Sequence, residues 1–114
     1  MLTDSTMAPV VPRWMVEVEA AFTDAGRPTP GPDELEPLVE LLYRTEGVRS
    51  VVAVPRRAGL AVMVDLAVPD ADVALQRGRT LVASCARYAG LGEVGIDRVQ
   101  VTPRHDVATP WRFV

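Results

Sequence analysis

The residues of this chain that could do chemistry are few: one histidine, one cysteine, and scattered carboxylates and arginines. His105 stands beside Asp106, and a His–Asp pair can serve as a general base. The pair falls in a Pro-flanked tail, where no rigid element fixes a catalytic geometry, so a surface histidine is expected. One histidine with so few companion ligands does not make a zinc site. Cys85 lies at helical spacing with Leu81 and Ala89, which predicts a buried, inert thiol rather than a nucleophile. Glu17, Glu19 and Asp65 sit at the polar positions of two alternating runs. With Arg98 they could line a ligand pocket. They could also hold a hard cation, although no local ligand loop accompanies them. No catalytic residue, metal ligand or cofactor is assigned from these spacings.

Composition narrows the classes further. A chain of 114 residues fits one domain with one modest core. Apolar residues make up 48% and charged residues 24%, a globular balance. The formal net charge of −3 supplies no global basic field for nucleic acid or anionic membrane. All 12 basic residues are arginine, so no Schiff-base or P-loop lysine is at hand. The lone Cys85 excludes an intrachain disulfide. No apolar stretch approaches the length of a membrane span. Met1 to Val11 lacks the basic start and apolar run of a signal peptide. The expectation is a cytoplasmic protein.

Behind these residues stands an ordered series of elements. Arg13 to Phe22 alternates, with Trp14, Val16, Val18, Ala20 and Phe22 as the buried set and Met15, Glu17 and Glu19 opposite. Thr23 to Pro32 is a Pro- and Gly-rich loop that either shapes the turn or rims a pocket. A helix starts near Pro32–Asp33 and ends by Gly47, burying Leu35, Leu38, Val39 and Leu42. Val48–Val54 and Leu60–Val68 form a hairpin across Pro55–Gly59. Leu60, Val62, Val64, Leu66 and Val68 face inward, and Ala61, Met63, Asp65 and Ala67 outward. In the preceding strand Val48, Val52 and Val54 are placed inward, and Arg49, Val51 and Ala53 outward. Asp70 is positioned to cap a second helix. Gly78 on that helix's apolar face predicts close approach to the sheet. Gly95 to Thr102 is a last strand, with Val99 and Val101 inward and Arg98 and Gln100 outward.

The order is β-α-β-β-α-β. The expected fold class is therefore α+β: a ferredoxin-like βαββαβ sandwich, a four-stranded antiparallel sheet with two helices on one face. Residues 1–12 form an N-terminal arm, 13–102 the domain and 103–114 a tail. The usual strand order of that fold, 4-1-3-2, puts Met15, Glu17 and Glu19 beside Met63 and Asp65 in the middle of a bare face. That face is either solvated, with weak surface ion pairs, or a contact surface. Outward Met15, Val51 and Met63 favour contact. RNA-recognition folds stack bases on aromatics of these strands, and here the positions hold Met, Glu, Asp and Ala, which argues against nucleic acid. Trp111, Arg112 and Phe113 crowd the tail, and Trp and Arg are frequent binding anchors. The tail either covers its own domain or docks on a neighbour.

Over Arg13 to Thr102 the order resembles, in outline, two broad groups. The ACT-like regulatory modules pair side by side and bind effectors at the interface. The small dimeric α+β barrel proteins pack open faces together around a substrate. The expected function is a non-enzymatic, self-associating interaction module, a homodimer or a binder of another protein. Its interface would comprise Met15, Val51, Met63, Trp111 and Phe113. The alternative is a small ligand-binding or enzymatic barrel with a pocket at Glu17, Glu19, Asp65 and Arg98.

Overall fold

The computed structural model describes residues 11–24 and 26–104. His105, Asp106, Trp111 and Phe113, and most of the proposed N-terminal arm, lie outside those residues. The elements are β1 (Arg13–Phe22), α1 (Pro32–Tyr43), β2 (Val48–Arg56), β3 (Gly59–Ala67), α2 (Ala71–Tyr88) and β4 (Val94–Pro103). The class is α+β. The four strands form one antiparallel sheet in the order β2-β3-β1-β4, so β1 and β3 are its centre.

Alternation in β1 sends Val16, Val18, Ala20 and Phe22 into the core. There they join Leu60, Val62, Val64 and Leu66 of β3 and the apolar faces of both helices in a single cluster. Helix α1 begins at Pro32, where a missing N–H costs nothing. The Glu34 carboxylate reaches back to accept from the Gly31 N–H at 2.9 Å. The helix buries Leu35, Leu38 and Leu42. Helix α2 is capped by Asp70, whose Oδ1 accepts from the Val73 N–H at 2.9 Å. Gly78 faces β1 so closely that a Cβ there would lie 2.6 Å from Val16 Cγ1. Close approach is thus the reason for glycine in this helix. Cys85 is buried, and burial pushes its thiol pKa up. The indole of Trp14 donates to the Val68 carbonyl at 3.1 Å.

Strand β2 corrects the sequence reading. Its register against β3 shifts between Val48 and Ser50, leaving Arg49 as an extra residue. One inserted residue reverses the facing of everything after it. Val51 opposite Val64 therefore joins the core, and Ala53 packs against it. Val52 and Val54, expected inside, are on the opposite face and exposed. Val51 is not a residue of the open face.

The hairpin is also tighter than expected. Both strands run on to Arg56 and Gly59, so only Arg57 and Ala58 connect them. Pro55 is tolerated within β2 because that strand is an edge. Ala58 holds φ +57°, the left-handed region that disfavours a Cβ. Ala58→Gly is expected to stabilise the domain by about 1 kcal/mol. A thermal melt should show a rise of several degrees; an unchanged midpoint would refute the strain.

Candidate interaction face

The side of the sheet away from the helices is built from the alternate residues of four strands. Cross-strand pairing arranges them in rows. Ser50, Asp65, Met15 and Thr102 make one row; Val52, Met63, Glu17 and Gln100 the next; Val54, Ala61, Glu19 and Arg98 a third. The first two rows join Met15, Met63, Glu17 and Asp65 as expected from the sequence. Val52 and Val54 were missed, since the bulge at Arg49 leaves no trace in the composition of β2.

The apolar part of the face lies toward the β2 edge. Val52 is 54% exposed, Val54 47% and Met63 38%. Val52 and Met63 are direct cross-strand partners. Met15 is half-buried.

The four residues read as a possible ligand pocket behave differently from one another. Asp65 is fully buried (0% exposed) although it belongs to the open side. Its carboxylate accepts from the Arg13 guanidinium, through Nη2 and through Nε at 3.3 Å. Arg104 adds Nη1 at 3.4 Å. Two arginines at the ends of β1 and β4 thus enclose one acid at the end of β3. A buried carboxylate needs this kind of compensation, and Arg supplies it through its planar fork. Glu19 pairs with Arg56 at 3.0 Å. Arg98 donates to the Gln100 side chain at 3.2 Å. Glu17 is half-buried and makes no ion pair among the described residues. Asp65 and Glu19 are therefore occupied by arginines, and the four do not converge on a common point.

Three concavities lie elsewhere. One, of about 450 Å³, is at the start of β2, lined by Glu46, Gly47, Val48, Arg49, Ala67 and Arg77. A second is on the outer side of α2 around Val73 and Thr80. A third runs between α2 and β4 past Leu75, Ile96 and Arg98. Glu17, Glu19 and Asp65 line none of these three. Among the described residues no three His, Cys, Asp or Glu side chains come together as a metal would require. No described helix is long and apolar enough to cross a membrane.

The surface is thus a sheet face with an apolar edge, an acidic middle and a compensated carboxylate at one end. No protein-family model and no curated protein matches this sequence.

Proposed function

We propose that this chain is a small, non-enzymatic interaction module that self-associates through its open sheet face. Its architecture is best described as ferredoxin-like, because the observed strand order, read from the other edge, is β4-β1-β3-β2. The observation that carries the functional reading is the contiguous exposure of Val52, Val54 and Met63 on that face. A contiguous apolar patch left exposed on a sheet whose other face already supplies the core is the mark of a contact surface.

A second copy is the occupant this surface fits. In a two-fold dimer the same patch serves both sides, so apolar rows meet apolar rows and leftover charges must be mutually compatible. Among the described residues Glu17 and Arg98 are the face's charges without an ion-pair partner, and they have opposite sign. Four strands at about 4.8 Å and about eight residues at about 3.3 Å project roughly 500 Å². A stable interface buries about 800 Å² per partner. The face alone thus supports a modest dimer, and the proposal includes residues 105–114, with Trp111 and Phe113, as a source of further contact area. The ligand-barrel alternative has less support, because Asp65 and Glu19 are engaged by arginines.

Met63→Arg places a charge in the centre of the proposed contact. Solution mass across a concentration series should give a dimer for the parent chain and a monomer for the variant, with melting of the variant little changed. A parent that stays monomeric, or a variant with the parent's mass, would overturn the reading.

A further inference from the structure

The cavity at the start of β2 combines features that the interaction face does not explain. It lies where the turn after α1 enters the sheet and α2 passes behind it. The turn is fixed from two sides. Gly47 adopts φ +89°, and its carbonyl accepts from the Ala67 N–H at 2.9 Å. Val48 N–H donates to the Thr45 carbonyl at 3.2 Å. Arg77 reaches across from α2 and donates from Nη2 to the Glu46 carbonyl at 3.2 Å. That contact sets its guanidinium at the cavity wall and, among the described residues, uses one of its five donors.

Arg49 comes to the same cavity by a different device. It is the extra residue of the β2 bulge, displaced from the ladder that pairs Val48 with Leu66 and Ser50 with Asp65. A bulge re-aims the side chain it carries. Among the described residues neither Arg49 nor Arg77 has a carboxylate within ion-pairing distance. Glu46, also at the cavity, offers its carbonyl to Arg77, and the residue is exposed. Two guanidiniums without an ion pair among the described residues, against the single carboxylate of Glu46, thus line one cavity in a protein whose net charge is −3. The remaining wall, Gly47, Val48 and Ala67, adds no further charge.

We propose that this cavity binds a small organic oxyanion, its phosphate or carboxylate group held between Arg49 and Arg77. Guanidinium forks match both groups through paired N–H···O bonds. The cavity, about 450 Å³ and open to solvent between the exposed Arg49 and Arg77, leaves room for more than a bare ion. None of the residues lining the cavity belongs to the rows of the open face, so its occupancy and self-association can be read separately.

The test titrates the full chain with inorganic phosphate and, separately, with malonate at constant ionic strength, following backbone amide shifts. Saturable shifts centred on Gly47, Val48 and Arg77 are expected with at least one probe. Phosphate alone would assign the site to phosphoryl ligands, malonate alone to carboxylates. Arg49→Gln should weaken binding at least tenfold, while the fold stays intact because Arg49 makes no described ion pair. Arg57→Gln, which removes another exposed arginine at the hairpin, should leave binding unchanged. Shifts that never saturate, an Arg49→Gln affinity equal to the parent's, or an equal loss in Arg57→Gln would each overturn the proposal.

Discussion

Gly59→Ala is expected to destabilise the domain by on the order of 3 kcal/mol, at the upper end of what overpacking costs. Gly59 opens β3 and pairs with Ala21 of β1. A Cβ there would lie 2.1 Å from the Ala20 carbonyl oxygen and 3.0 Å from Ala21 Cα. Both are backbone atoms of the central strand, so no side chain can rotate away. The register of β1 against β4 already shifts between Glu19 and Ala20, which leaves little freedom to absorb a further displacement. The neighbouring position asks for the opposite residue, because Ala58 bears a Cβ where the backbone is left-handed. Adjacent substitutions, Ala58→Gly and Gly59→Ala, should thus move stability in opposite directions. Urea unfolding checks this through the midpoint at constant slope. A Gly59→Ala midpoint within error of the parent would show that β1 and β3 can separate without cost.

The same hairpin shows where sequence reading succeeds and where it stops. Local chemistry is legible. The alternation of β1 bounds that strand at Arg13 and Phe22, Asp70 announces the α2 cap, and Gly78 announces the close approach to Val16. Facing is lost where local chemistry is degenerate. Val51 and Val52 are adjacent and identical, so either phase of β2 gives an apolar inner set. The bulge at Arg49 that chooses between them is a property of pairing with β3. Pro55 reads as part of the turn because proline usually marks one, yet an edge strand admits it. The candidate face is half legible for the same reason. Met15 and Met63 follow from alternation within their own strands. The burial of Asp65 depends on Arg13, which is 52 positions away along the chain and adjacent only once the strands pair.

That carboxylate gives the second large effect. Asp65 is fully buried, whereas the Arg13 and Arg104 side chains are 45% and 41% exposed. The cluster should therefore respond asymmetrically. Asp65→Asn leaves two cations that can turn to water, at a cost of about 1 kcal/mol for the lost charge-assisted bonds. Arg13→Met with Arg104→Met keeps the apolar stems that cover the site and strands the acid without partners. Breaking a buried pair in that direction costs about 3 kcal/mol. Arg13 also makes an interaction beyond those with Asp65, so the double variant alone does not isolate the cluster. Adding Asp65→Leu to it does, because an aliphatic side chain has no polar group that needs the guanidiniums. The triple variant should recover most of the lost stability in urea unfolding. If it is no more stable than the double variant, the arginines act through other contacts and Asp65 is not what they hold. Recovery, by contrast, would make the cluster an electrostatic clasp joining β1, β3 and β4 at one end of the open face. The apolar rows of Val52, Val54 and Met63 would then be presented on a sheet whose flank is fixed by charge rather than by packing.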